Sequence, residues 1–273
     1  MPEIVEVETF RRQLEPILIG KRIIEVKVNH LRSIRRHKSV KEFTNLLLGK
    51  DILEISRFGK YLTFHLDDGS FLNAHLRMSG RFLLNDDPSS DPKHSHIILT
   101  TEKNRILFID PRTFGEMWVT LTPTPEISRG IDALTSSNID LQKVIMQLAS
   151  KSTKAIKAVL LDQHYISGIG NIYADEICSL AKINVSRRIC DLKDREIYQL
   201  IRSIKIILKK AIKLRGSSLR DESFLDLNNN IGSFQKFHRV HAKAGQQCSD
   251  CGSEIVKTKI VGRTSYFCPK CQT

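Results

Sequence analysis

Four cysteines near the end of the chain stand in two pairs, Cys248-x2-Cys251 and Cys268-x2-Cys271, with sixteen residues between the pairs. Two such knuckles at this separation can close a tetrahedral thiolate site around one Zn2+, with the intervening residues forming a hairpin. No fifth ligand is evident, so the expected zinc is structural. Within the hairpin Lys257, Lys259 and Arg263 alternate with less polar residues and offer phosphate a cationic face. A second constellation is Ser167-Gly168-Ile169-Gly170-Asn171, ahead of a helical pattern, where glycines let backbone N–H groups approach an anion at a helix N-terminus. The third is Met1-Pro2-Glu3-Ile4-Val5-Glu6. A penultimate proline permits removal of Met1, and the freed α-amine, with a pKa of about 7.7–8.0, is partly unprotonated at neutral pH. Such an amine can form a Schiff base with a sugar carbon. Glu3 and Glu6 lie one helical turn apart beside it, as a general acid would need, although an acidic first turn also simply favours the helix dipole.

These residues need elements to position them. Val7, Phe10, Leu14 and Ile17 recur at helical spacing, predicting a helix over residues 3–17. From about 22 to 120 the texture changes to short apolar or alternating runs broken by turn signals. Tyr61–Leu66, Asp67-Asp68-Gly69 and Phe71–Leu76 read as a hairpin, as do Ile97-Ile98-Leu99, Glu102-Lys103-Asn104 and Ile106–Ile109. This half is expected to be a β-sandwich or barrel. Thr122-Pro123-Thr124-Pro125 and Ser128-Arg129-Gly130 read as a linker. Beyond it the period is helical: Ile197, Leu200, Ile201, Ile204, Leu208 and Ala211 mark one long helix, and Ile156, Leu160 and Leu161 another. Residues 216–234 are polar, with three consecutive asparagines, and are expected to form a mobile loop.

A chain of 273 residues, 41% of them hydrophobic, can bury a core without staples. The net charge is +13, and the excess lies C-terminally: 20 basic against 17 acidic residues up to position 130, and 23 against 13 beyond it. That surplus favours a polyanionic partner, because cations placed on phosphates release condensed counterions. No apolar run approaches the ~20 residues of a membrane helix, and the N-terminus is acidic where a secretory signal is basic. A cytoplasmic location is expected, with reduced cysteines. Cys178 and Cys190 stand apart and are expected to be ordinary buried thiols.

Taken together, the motifs resemble those of the formamidopyrimidine-DNA glycosylases along the whole chain. The likeness is carried by Pro2-Glu3-Ile4-Val5-Glu6, Gly59-Lys60-Tyr61-Leu62, His75-Leu76-Arg77-Met78-Ser79-Gly80, Asp110-Pro111-Arg112-Thr113-Phe114-Gly115, Leu161-Asp162-Gln163 leading into Gly168-Ile169-Gly170-Asn171, Arg263-Thr264-Ser265-Tyr266-Phe267-Cys268 and the zinc spacing. Val5 stands where a second proline is usual, and Val240-His241-Ala242-Lys243 departs from a usual tyrosine-glycine-arginine run.

The resemblance implies an α+β fold: an N-terminal catalytic β-sandwich with flanking helices (1–121), a linker (122–130), a helix-two-turn-helix module (131–235) and a zinc-finger β-hairpin (236–273). It implies a bifunctional DNA glycosylase and abasic-site lyase, acting as a monomer near the nucleoid, that removes 8-oxoguanine and formamidopyrimidines from damaged double-stranded DNA. Pro2 would attack C1′ and hold the sugar as an imine, Glu3 would protonate the opening sugar, and Lys60 and Arg263 would assist β- and δ-elimination. Met78, Arg112 and Phe114 would fill the gap left by the flipped nucleotide. His94, Asn171 and Lys154 would bind phosphate, although Lys151, Lys154 and Lys157 can be registered in more than one way. The alternatives are an endonuclease VIII-type enzyme for oxidised pyrimidines and a non-catalytic zinc-containing nucleic-acid-binding protein.

Overall fold

In a computed structural model, residues 2–122, 130–218 and 224–273 are described. The expected linker lies largely outside them, as do Met1 and the centre of the polar segment. The chain divides into two compact units, Met1–Ile127 with Leu214–Gln235, and Ser128–Lys213 with Lys236–Thr273. No described helix is long and apolar enough to cross a membrane.

The first unit opens with helix α1 (Ile4–Leu18), followed by β1 (Ile23–Val28), the short α2 (Val40–Asn45) and seven further strands. These are β2 (Ile52–Phe58), β3 (Tyr61–Leu66), β4 (Phe71–His75), β5 (Arg81–Leu84), β6 (Ser95–Thr101), β7 (Arg105–Ile109) and β8 (Glu116–Thr120). They form two antiparallel four-stranded sheets, ordered β1-β6-β7-β5 and β2-β3-β4-β8. Alternating side chains from both sheets meet in one core, in which Val7, Phe10, Leu14 and Leu18 of α1 join Ile55, Leu62, Phe64, Leu72, Phe82, Ile97 and Phe108. The apolar spacing that predicts α1 is thus the face it buries.

Leu214–Gln235 belongs to this core. Phe224 meets Phe10 edge-on at 5.6 Å, and Leu227 is fully buried. The asparagines are part of a turn closed on one buried carboxylate: Asp226 accepts from the N–H groups of Asn228 and Asn230 and from the side chains of Gln13 and Arg215. Mobility expected from polarity therefore does not describe these flanks, because their polar groups are spent on one another.

The second unit begins with β9 (Ile131–Asp132) and α3 (Asn138–Ala149), then α4 (Ile156–Leu161), β10 (Ile166–Ser167), α5 (Asn171–Ala181), α6 (Asp194–Lys213), β11 (Val256–Ile260) and β12 (Arg263–Phe267). β9 and β10 pair in parallel, and β11 and β12 form an antiparallel hairpin. The hairpin turns at Val261-Gly262, both with positive φ. α6 buries Ile197, Leu200, Ile201, Ile204 and Leu208, the stripe predicted from its spacing. Cys178 is buried, and burial pushes its thiol up to about 12. Cys190 is exposed, contrary to expectation: it sits on the short 3-10 turn Ile189–Asp191, beside the Asp191 carboxylate and outside any packed helix face.

Candidate active site

Pro2 and Glu3 lie buried immediately before α1, Glu3 with extended backbone. The Glu3 N–H donates to Glu6 Oε2 at 2.9 Å. The other oxygen, Glu6 Oε1, accepts the Ser217 N–H at 3.0 Å, so one buried carboxylate joins the start of α1 to the segment after α6. Gly216 makes that approach possible: its φ is +78°, and a Cβ there would lie 2.6 Å from Glu6 Oε1. Sequence spacing placed Glu6 beside Glu3; its partner, 211 residues away, left no local signal.

Lys60 follows Gly59 in the two-residue turn between β2 and β3. The turn is anchored from α1. Arg57 donates to Glu8 at 3.0 Å and to the Gly59 carbonyl at 3.1 Å. Burial alone would raise the Glu8 pKa, but hydrogen bonds from Arg11 and Arg12 and the charge of Arg57 outweigh it and hold the group below the usual carboxylate range. His75 lies across from Tyr61, and burial, with the nearby cations Arg77 and Lys60, pushes its pKa down to about 3. It is therefore neutral at pH 7, consistent with Nδ1 accepting the Arg77 N–H.

Met78 and Phe114 are each 38% exposed, and Arg112 and His94 are exposed as well. Met78 and Phe114 therefore lie on two loops at the surface and outside the core. Both loops are held at their bases. Arg35, Arg36 and Arg77 converge on Glu116 at 3.0, 3.1 and 2.9 Å. Burial pushes the Glu116 pKa up, but the hydrogen bonds and charges of these guanidinium groups bring it to about 2. Arg35 also donates to the Phe114 carbonyl, and Arg32 and Arg112 lie 5.6 and 5.5 Å from its ring centre.

In the second unit Gly170 caps α5 and Asn171 is its first residue. Gln163 holds the preceding turn, accepting from the Gly168 N–H and donating to the Leu161 and Ile169 carbonyls. Asn171 Nδ2 donates to the Thr264 carbonyl at 3.0 Å. Lys154 is half-exposed, paired with Asp162 at 3.3 Å and 5.4 Å from the Tyr165 ring centre. Lys157, by contrast, is fully buried and reaches Asp175 at 2.6 Å, Ser265 Oγ at 2.7 Å and the Thr264 carbonyl at 3.4 Å. Of these two lysines, only Lys154 is exposed. Asp175 also contacts His241 Nδ1 at 2.8 Å, and the buried Glu176 accepts the N–H groups of Arg239, Val240 and His241. Sequence reading missed this network. The unusual His241 was its one visible trace.

Arg263 begins β12, exposed, directly before the gripped Thr264. Lys257 and Lys259 share the exposed side of β11. The four sulfurs of Cys248, Cys251, Cys268 and Cys271 lie within 4.8 Å of one another, with Sγ pairs at 3.9 and 3.5 Å. Zn–S bonds of about 2.3 Å in a tetrahedron require sulfur separations of about 3.8 Å, so the donor set fits one zinc ion.

Residues 1–117 match the formamidopyrimidine-DNA glycosylase N-terminal domain, 130–223 the formamidopyrimidine-DNA glycosylase H2TH domain, and 245–273 a zinc finger found in FPG and IleRS. The chain belongs to the formamidopyrimidine-DNA glycosylase family. It is 37% identical to the formamidopyrimidine-DNA glycosylase of Pelotomaculum thermopropionicum, over all of this chain and 99% of that one. It also resembles the Lactococcus lactis Fpg solved with DNA containing an abasic site (TM-score 0.90, 36% identity, 99% of each chain). A second structure of that enzyme, wild-type with DNA containing N7-benzyl-Fapy-dG, gives a TM-score of 0.90 at 37% identity over the whole of both chains. The mixed fold, with β-sheets first, an H2TH module next and a zinc-finger hairpin last, is that of the glycosylases.

Proposed function

We propose that this protein excises oxidised purines, 8-oxoguanine and formamidopyrimidines, from duplex DNA and then cuts the strand at the resulting abasic site, with Pro2 as nucleophile. The observation that carries the mechanism is Pro2 at the head of α1 with Glu3 buried beside it and Glu6 fixing the turn. The Pro2 nitrogen attacks C1′ and the base departs with its bonding electrons. The attacking nitrogen loses its proton, and Glu3 delivers one to the ring oxygen as the C1′–O4′ bond breaks, leaving an iminium (protonated Schiff base) between Pro2 and C1′. Loss of a C2′ proton then breaks the C3′–O bond, and a further elimination breaks the C5′–O bond. Lys60 assists the first elimination and Arg263 the second.

Access to C1′ requires the nucleotide to leave the stack. Met78 and Phe114 fill the gap, and the Arg112 guanidinium bonds the orphaned base. His94, Asn171 and Lys154 bind phosphates. Bound Zn2+ supplies no proton or electron chemistry; it closes the hairpin that carries Arg263, Lys257 and Lys259. Residues 1–121, with 214–235 packed in the same unit, supply the catalytic half, 131–213 the helical DNA-binding half and 236–273 the finger. The enzyme works as a monomer on chromosomal DNA in the cytoplasm.

A variant with one extra residue ahead of Pro2 tests the reading. Its affinity for lesion DNA and the salt dependence of binding should match those of the wild type, because the phosphate contacts are unchanged. Strand cleavage should disappear. Cleavage at the wild-type rate by the extended protein would overturn the mechanism.

A further inference from the structure

The motif that supplies Arg112 and Phe114 begins with Asp110, for which the reaction above has no use. Asp110 is fully buried, and among the described residues no lysine or arginine side chain forms an ion pair with it, although its charge acts on the nearby His96 ring. Its oxygens are instead spent on loop backbone and one hydroxyl. Oδ1 accepts the Ser79 hydroxyl and the Arg112 N–H, and Oδ2 accepts the Gly115 N–H at 2.6 Å. Ser79 Oγ in turn accepts from the Arg112 N–H at 3.2 Å. The backbone of Asp110 completes the arrangement: its N–H donates to the His94 carbonyl, and its carbonyl accepts from Thr113.

Each contact lies at or beside a residue assigned to DNA. Ser79 follows Met78, the gripped amide belongs to Arg112, Gly115 follows Phe114, and the accepting carbonyl belongs to His94. The loops around the carboxylate are tight: Arg77, His94 and Thr113 all have positive φ, which is costly for residues with a Cβ. Neither glycine tolerates a side chain. A Cβ at Gly115 would lie 2.6 Å from the Phe108 ring, and one at Gly80 would lie 2.5 Å from the Leu76 carbonyl. A carboxylate suits the centre of this knot because it is acceptor-only and offers both oxygens to converging donors.

We propose that Asp110 is a positioning residue for reading the base opposite the lesion. It locks the Met78 loop and the Arg112–Phe114 loop into one rigid wedge before DNA arrives. The inference rests on the function proposed above. In Asp110→Asn the amide NH2 must face the N–H of either Gly115 or Arg112, even where the Ser79 hydroxyl turns to accept from it, so the lock loses a backbone contact on one side while the volume is kept.

Amide exchange of the DNA-free protein and cleavage of duplexes carrying 8-oxoguanine opposite cytosine or adenine together test it. Asp110→Asn should speed exchange at Arg112 and Gly115 and cut the cytosine-over-adenine preference in kcat/KM by about tenfold. Cleavage of a pre-formed abasic site should stay within about twofold, because Asp110 touches no sugar atom. Ser79→Ala guards against a variant that fails to fold: it should repeat the effect in weaker form, and Ser79→Thr should restore it. In an Arg112→Ala background, Asp110→Asn should cost no further preference. Unchanged exchange would refute the lock. Faster exchange with an unchanged preference, or an equal loss on lesion and abasic substrates, would refute its role in reading. A wild-type protein inert on both lesion duplexes would sink the proposed function, while the exchange arm would still read the lock.

Discussion

In the β-rich unit, Arg112 and Phe114 are displayed by loops whose donors converge on one carboxylate, Asp110. In the helical unit, Arg263 is displayed beside a carbonyl gripped by a buried ammonium, Lys157, which is itself neutralised by Asp175. The first holds the backbone of the exposed cation itself and the second that of the residue next to it, and they differ in what happens when they fail. Asp110 is met by hydrogen bonds from loops close to the surface, so weakening one side loosens a loop and leaves the sandwich core intact. Lys157 and Asp175 are both fully buried, so removing either strands a charge where water cannot reach it. The first device tunes a reading; the second is part of the fold.

The zinc site is the most severe way to break the helical side of this comparison. Cys268→Ser should release the metal and unfold the hairpin, because structural zinc contributes on the order of 10 kcal/mol in small finger peptides. DNA affinity should fall by about tenfold or more as the hairpin cations lose their places. Limited proteolysis should still yield an intact N-terminal unit, and metal analysis with binding measurements checks the rest.

Lys157→Met sharpens the comparison further. Breaking a buried ion pair from one side costs about 3–5 kcal/mol, so the denaturation midpoint should drop well below that of Asp110→Asn. Replacing both members, as in Lys157→Met with Asp175→Leu, should recover part of the loss, because no charge is stranded although Ser265 and His241 lose a partner. A single Lys157→Met variant as stable as the wild type would mean that Lys157 is not what ties α4 to Asp175 of α5 and to Ser265 of β12.

Glu116 gives the smallest of these effects and one with a pH signature. Its pKa is about 2 in the folded protein against an ordinary 4.5. The sign is that of a depressed carboxylate: its contribution is full above pH 4.5 and is lost as pH falls towards 2. The guanidinium partners are about a third exposed, which screens the attraction, so the contribution is roughly 1–2 kcal/mol. Glu116→Gln should therefore be less stable than the wild type at pH 7, with the gap closing between pH 4.5 and 2. A gap independent of pH would show that packing, not charge, is responsible.

What was legible in the sequence was what local spacing encodes. The stripe of α1, the hairpin β3–β4, the stripe of α6 and the CxxC pairs all announce themselves within about twenty residues. The candidate side chains were found through motifs; the structure leaves Met78, His94, Arg112, Phe114 and Arg263 exposed and buries Pro2 and Glu3. What stayed hidden depended on partners far along the chain. Lys157 reads as one of three surface lysines until Asp175 and Ser265 meet it, 18 and 108 residues away. Asp226 and Gly216 read as parts of a polar loop until Gln13 and Glu6 do the same. Cys190 shows the opposite failure: it was expected to be buried, but it stands beside Arg188 and Asp191 and is exposed.

The central claim is that the amine of Pro2 carries out the chemistry, and borohydride trapping on duplex DNA containing 8-oxoguanine tests it most directly. Hydride reduces only an imine already formed, so a covalent adduct reports the intermediate itself. The wild-type protein should become cross-linked to the lesion strand, with peptide mapping placing the adduct on Pro2. An adduct on Lys60, or strand cleavage without any trapped species, would contradict the account.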